Sequence, residues 1–325
     1  MKKILILLMT LLLTAECFYG CASHSQSYDD NHLQIVTTIF PEYDWVKSIL
    51  GDNKAEAEVT MLLNSGVDLH SFQPSAADIL KISTCDMFVY VGGESDEWVD
   101  DVLKQATNKE MIIINLLEIL GNAAKEEEIV EGMQENEREE HDHEEEAEYD
   151  EHVWLSLKNA VLFVNTITEA LTEIDSDHAD SYRNNAQAYI NELKKLDEQY
   201  QETVTKAPFK TLLFGDRFPF RYMIDDYGLN YYAAFVGCSA ETEASFETVT
   251  FLAQKVDELS LPAVLTIEGT SHRIAETIIQ NTAAKNQSIL VMDSMQSTTN
   301  KDVKNGATYL SIMQKNLSVL KDALN

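Results

Sequence analysis

Two short stretches of the chain set an imidazole among carboxylates: Gly66-Val67-Asp68-Leu69-His70 and Asp150-Glu151-His152-Val153-Trp154-Leu155. Two more place a carboxylate at a turn, Gly215-Asp216-Arg217 and Asp293-Ser294. Imidazole nitrogen and carboxylate oxygen are together the donors that a borderline divalent ion accepts, zinc first, with manganese and ferrous iron able to use the same atoms. The same residue types also cap helices and hydrogen-bond within loops, so the residues alone leave both roles open for His70 and His152. For Asp216 the competing role is an ion pair with the adjacent Arg217, and for Asp293 it is a turn or cap. A looser metal chemistry lies in Glu139-Glu140-His141-Asp142-His143-Glu144. A tract that must order itself around each ion binds weakly, so His141 and His143 suit metal collection, and an inert solubilising insertion has the same composition. Neither an H-E-x-x-H helix nor a G-x-S-x-G elbow occurs, which leaves a secreted zinc hydrolase without its usual motifs.

The four stretches sit where an α/β pattern would present them. Strand-like runs at Leu33 to Phe40, Ala57 to Leu63, Met87 to Val91 and Met111 to Asn115 alternate with helical spacing over Glu42 to Leu50, Ser75 to Ile82 and Trp98 to Ala106. The pattern resumes with strands at Thr211 to Phe214, Tyr231 to Phe235, Ala263 to Ile267 and Ser288 to Met292. Helices are expected near Tyr222, over Phe246 to Leu259 and His272 to Ala284, and at the end to about Leu324. Alternation of this kind predicts two similar α/β lobes with parallel sheets. His70 falls in a loop after a strand end, as do Asp216 and Asp293, and open α/β sheets bind ligands there. Between the halves Ala179 to Lys206 carries no Gly or Pro and repeats Tyr182, Ala186, Tyr189, Ile190, Leu193 and Leu196 at helical spacing. One rigid spine of ~40 Å fits this run, and so do two consecutive helices of one lobe.

Charge and the N-terminus set the surroundings. Lys+Arg number 24 against 55 Asp+Glu, a net charge of -31, which excludes a basic face that grips nucleic acid and favours cations as partners. Residues 126–151 hold 15 acidic side chains and one basic one, Arg138, and read as a solvated loop. Met1-Lys2-Lys3 followed by apolar Ile4 to Leu13 reads as an export signal, too short for the ~20 apolar residues of a permanent span. Cys21 after Phe18-Tyr19-Gly20 resembles a lipobox cysteine, and the expectation is an extracytoplasmic protein anchored to the membrane by lipid at Cys21. The boundaries expected are a signal peptide at 1–21, a tether at 22–32, an N-terminal lobe at 33–178, a linking helix at 179–206 and a C-terminal lobe at 207–325. Cys85 and Cys238 read as unpaired small residues without a role.

With these pieces in order, the chain from Leu33 onward resembles the zinc and manganese substrate-binding lipoproteins of bacterial ABC transporters, the cluster A-I solute-binding proteins. The resemblance rests on Gly-Val-Asp-Leu-His70, on Asp-Glu-His152-Val-Trp-Leu, on the acidic histidine loop, and on Asp293 ahead of a helix bearing Tyr309, Met313, Asn316 and Leu320. It implies two lobes joined by a rigid helix, with one metal in the cleft held by His70, His152 and Asp293. It also implies a protein that is no enzyme and that delivers its metal to the permease and ATPase subunits of a transporter; a monomer is expected, and a helix as the connection predicts small loop and lobe adjustments in place of wide hinge motion. The chain departs from the family pattern at Leu69, where proline is usual, at Ser156, where aspartate is common, and at Gly215, which aligns with the usual third ligand, His or Glu. Asp216 is then the expected substitute, with Glu268, His272 or a water as auxiliaries. The histidine loop favours zinc, and an oxygen-rich site would favour manganese. A surface metal buffer or adhesin, using the loop and anchor alone, is the remaining alternative.

Overall fold

Short apolar, β-branched runs separated by capped amphipathic helices produce two sheets of the same design. The computed structural model describes residues 32–51, 57–134, 148–239, 243–269 and 271–325, and Leu33–Asn325 forms one compact unit. Cys21, His141 and His143 lie outside the described residues.

In the first half β1 (Leu33–Thr37), α1 (Phe40–Leu50), β2 (Ala57–Met61), α2 (Ala76–Thr84), β3 (Met87–Tyr90), α3 (Trp98–Lys104), β4 (Ile112–Asn115), α4 (Leu116–Leu120) and α5 (Leu157–Ile174) follow in order. A single helix, α6 (Ala179–Lys206), leads to the second half. There the order is β5 (Thr211–Phe218), α7 (Arg221–Tyr227), β6 (Asn230–Val236), α8 (Phe246–Leu259), β7 (Ala263–Ile267), α9 (Arg273–Asn281), β8 (Ser288–Met292), α10 (Asn300–Lys304) and α11 (Tyr309–Ala323). Both sheets are wholly parallel, with strand orders β2-β1-β3-β4 and β6-β5-β7-β8. In each the chain steps outward to one side and then crosses to the other, so a switch point opens at the carboxyl ends of the strands.

Several boundaries differ from the pattern-based reading for local reasons. Strand β1 stops at Thr37 because α1 begins early, with Pro41 in its first turn and Glu42 accepting the Ile39 N–H. Strand β5 does not end at Phe214 but runs on to Phe218 through a register shift between Phe214 and Arg217. Gly215 and Asp216, expected in a loop beyond the strand, therefore sit within it.

The 28 residues of α6 form one unbroken helix, so the two-helix alternative is not what the chain does. Tyr182, Ala186, Ile190, Leu193, Leu196, Tyr200 and Val204 make its buried stripe, at the three-and-four spacing of a helix face. That stripe meets both halves. Asn185 donates to the Ile49 carbonyl at the end of α1 (2.9 Å), whereas Tyr200 donates to the Met313 carbonyl in α11 (2.6 Å) and Tyr227 of α7 donates to Asp197 (2.8 Å). Further bonds cross at the centre: Trp154 Nε1 donates to the Ser294 carbonyl (2.9 Å) and Tyr309 Oη donates to the Trp154 carbonyl (2.6 Å), with both rings fully buried.

Candidate metal site

The first imidazole is set by a tight turn after β2. Asp68 caps a single 3-10 turn, Leu69–Ser71, by accepting the His70 N–H (3.1 Å), while Leu69 plugs into the core at 1 % exposure. An apolar residue at 69 thus anchors the turn that presents His70. The second imidazole enters where the acidic segment ends. Asp150 Oδ1 accepts both the backbone N–H of His152 (2.9 Å) and its Nδ1 (2.9 Å), and Trp154 packs against the ring at 5.3 Å between centroids. Ser156 caps α5 and donates to Asp226 (2.5 Å).

These two turns bring the imidazoles together edge on, with His70 Nε2 3.3 Å from His152 Nε2. Behind them each Nδ1 has a fixed partner. His70 Nδ1 lies 2.7 Å from Ser95 Oγ and 3.3 Å from Glu151 Oε2, and His152 Nδ1 lies against Asp150. Carboxylates beside both Nδ1 atoms favour a proton there when an ion is bound, the arrangement seen behind metal-bound histidines, which would turn both Nε2 lone pairs to that ion. Burial alone raises the Glu151 carboxyl, but His70 and the Ser95 donors outweigh it and hold Glu151 below its usual range. Asp68 behaves alike: burial raises it, and the Arg217 guanidinium and His70 more than reverse this. With the Gln296 amide nitrogen turned toward Asp68, 3.2 and 3.1 Å from its two oxygens, the amide oxygen stands 3.1 Å from His152 Nε2.

The other expected residues divide. Among the described residues, the group of His, Cys, Asp and Glu donors close enough to share an ion is His70, His152 and Cys238, with one donor atom of each within 4.8 Å of the others. Asp216, Asp293, Glu268 and His272 lie outside that group. Gly215 offers no ligand, and the space a side chain would need is filled: a Cβ there would come within 2.7 Å of Ala275 Cα in α9. Asp216 accepts the Arg217 N–H (2.9 Å) and the Ile267 N–H (3.3 Å), bracing the bulge of β5 against β7, while the Arg217 guanidinium turns away to Asp68. Asp293 accepts the Met295 N–H (2.8 Å), and Glu268 binds the Ser294 N–H (2.7 Å) and hydroxyl (2.8 Å). Burial, and then the neighbouring Asp293 charge, raises the Glu268 carboxyl, and burial raises Asp293 as well. His272 stands in the cleft wall with Nδ1 2.9 Å from Thr266 Oγ1.

Cys238 is the residue that pattern reading passed over. It follows β6 directly, beside Gly237, whose missing side chain makes room for the imidazole: a Cβ at 237 would come within 2.9 Å of His152 Cε1. Both Cys238 and Cys85 are free thiols, as expected. Burial, followed by the Glu127, Glu151 and Asp150 charges, pushes the Cys238 thiol well above its usual range. Over this group opens a cleft of about 450 Å³, with Asp68, His70 and Ser71 on one side and Asp216, Arg217, Ser239 and His272 on the other.

Two parallel α/β lobes bridged by one long helix are the architecture of a class of solute-binding proteins, and comparison with known proteins places the chain within it. A family model described as the periplasmic zinc-uptake complex component A matches residues 35–323, and the chain belongs to that family. It is 32% identical over 324 residues to the zinc-binding lipoprotein AdcA of Streptococcus pneumoniae, covering 99% of this chain and 61% of the relative. The chain thus spans about three fifths of the length of the AdcA relatives it matches. The zinc uptake protein ZnuA of Bacillus subtilis is 29% identical over 321 residues, with 96% of this chain and 94% of the relative covered. Among solved structures, the zinc-bound ZnuA-like domain of S. pneumoniae AdcA superposes with a TM-score of 0.69 at 30% identity, covering 90% of this chain and 99% of that one. The metal-dependent lipoprotein YcdH of B. subtilis gives 0.71 at 27% identity, with 90% and 99% covered.

Proposed function

We propose that this protein captures zinc in the cleft between its two lobes and hands it to the permease of an ABC transporter, without catalysing a reaction. The observation that carries the reading is the pair of imidazoles whose Nε2 atoms stand 3.3 Å apart with a carboxylate behind each ring. Two ligands on a tetrahedral zinc at about 2.0–2.1 Å are themselves about 3.3 Å apart, so His70 and His152 already have the spacing of one edge of the coordination shell. A transport protein needs a shell that fills on capture. A zinc hydrolase keeps one position open for reactive water.

Other parts of the chain take supporting roles in this proposal. Cys21 carries the lipid that holds a monomer at the outer face of the membrane, and the tract with His141 and His143 gathers ions loosely. Membership in a zinc-uptake family and likeness to zinc-binding relatives support zinc over manganese as the cargo.

The test is chelator competition on the full chain with zinc and manganese in parallel. One tight zinc site is expected, weakened about a hundredfold or more in His152→Ala, which corresponds to about 2.8 kcal/mol. Weak, multiple binding that ignores His152 would overturn the proposal and leave the acidic tract as the whole metal chemistry.

A further inference from the structure

We infer that Cys238 is the second lobe's ligand to the cleft metal, a thiolate standing in for the imidazole that the chain lacks at Gly215. The inference rests on the capture reading above and deepens it.

Three observations converge on Cys238. The first is proximity: its sulfur completes a three-donor group with His70 and His152. The second is topological, because β6 holds in the second sheet the edge place that β2 holds in the first. Cys238 thus follows the edge strand of its sheet as His70 follows the matching strand of the other, and both line the cleft. The third is elimination within the second lobe. Gly215 is closed off by Ala275, Asp216 is committed to two backbone N–H groups, Asp293 binds its own turn, Glu268 binds Ser294, and His272, bonded to Thr266 through Nδ1, stands outside the three-donor group. Gly237 adds a steric argument, since only a residue without Cβ lets the chain beside Cys238 press against the His152 ring.

The chemistry follows from the donor set. Zinc replaces the thiol proton, forming a Zn–S bond and releasing H⁺ to solvent, and a shell of two imidazoles and one thiolate leaves one tetrahedral corner for an oxygen donor. A thiolate is soft. It favours zinc and disfavours manganese, so the loss of imidazole at Gly215 would narrow the cargo toward zinc instead of making the site oxygen-rich.

The experiment loads the full chain with one equivalent of cobalt(II) as a spectroscopic stand-in for zinc. The parent and Cys85→Ser should show a near-ultraviolet thiolate-to-cobalt charge-transfer band, which Cys238→Ser should lack. In zinc competition Cys238→Ser should bind at least tenfold more weakly, with manganese affinity changed much less, and circular dichroism melts of the metal-free variant should match the parent. A Cys238→Ser chain that keeps parental zinc affinity and the parental cobalt spectrum would overturn the thiolate assignment while leaving capture by the histidine pair intact. Loss of that reading as well would require His152→Ala to bind zinc unimpaired.

Discussion

The two sheets share one strand order, yet the loops at their carboxyl ends present different chemistry. On the first, β2 leads to His70 and the segment beyond β4 leads to His152, and each imidazole has a carboxylate behind it. On the second, the equivalent strands β6 and β8 lead to Cys238 and Asp293, and the Asp293 carboxylate turns back to its own loop. A strand end in an open α/β sheet decides where a donor can stand. The hydrogen bonds inside each loop decide whether that donor faces the cleft. Besides the backbone N–H groups they accept, Asp150 and Glu151 each set an oxygen beside an imidazole nitrogen, whereas Asp216 and Glu268 turn theirs to backbone N–H groups and a hydroxyl of their own half, and this is why acids abundant on both sides do not make the cleft symmetric.

The largest test of that asymmetry is to force an imidazole onto the second half. In Gly215→His the new side chain meets the backbone of α9 at Ala275 within 2.7–2.8 Å, so the helix must shift for it to fit. Overpacking of this kind costs about 1–3 kcal/mol. Urea unfolding of the metal-free variant should register that loss, and chelator competition should show no gain in zinc affinity. A variant as stable as the parent that binds zinc tenfold more tightly would break the comparison, because the second lobe would then have had room for the family's ligand.

Much of the architecture was legible in the sequence because its signals are local. Parallel strands buried on both faces read as short apolar runs, and α6 shows its buried stripe in the spacing from Tyr182 to Leu196. The turns of His70 and His152 were legible too, since each couples an imidazole to a nearby carboxylate within a few residues. What local patterns hide is contact across the sheets. Cys238 after an apolar strand looks like one more small core residue until the fold brings its sulfur beside His70 and His152. Asp216 looks like a loop carboxylate until the bulge of β5 turns it toward the Ile267 N–H. In the same way Arg217, one residue from Asp216, reaches across to Asp68 in the other half.

A second test sits where the first half meets the helices of the second. Asp44 in α1 accepts the Tyr309 N–H (3.0 Å) at the start of α11 and the Tyr189 hydroxyl (3.3 Å) of α6. Burial outweighs these bonds and raises its carboxyl from 3.8 to about 6. The folded state therefore holds this proton more tightly than the unfolded chain. The stabilisation is complete below about pH 4 and is lost as the pH rises through about 6. Asp44→Asn removes that dependence, so between pH 4 and pH 7 the variant should lose less unfolding free energy than the parent, by an amount on the order of 2 kcal/mol. Parallel slopes in the two proteins would mean that Asp44 is charged when folded and that this junction between the halves is wetter than its 8 % exposure indicates.

The smallest effect is expected at the ion pair that crosses the cleft itself. Arg217 and Asp68 join the halves at the mouth of the site, but their side chains remain 20% and 24% exposed, so water and salt screen the attraction. The dry contacts between the halves lie deeper, at Trp154 with Ser294, at Tyr309 with Trp154 and along α6. Arg217→Ala should accordingly cost about 1 kcal/mol or less in unfolding free energy, with the difference shrinking further at high salt. Its effect on zinc should be larger in rate than in affinity. Asp68 would keep its cap on the His70 N–H, so the imidazole stays in place, while release of the ion would quicken once the cleft mouth loses this tie. Stopped-flow release of zinc to a chelator separates the two. A drop in stability of several kcal/mol would instead make the polar mouth, and not the buried centre, the element that holds the two halves in register.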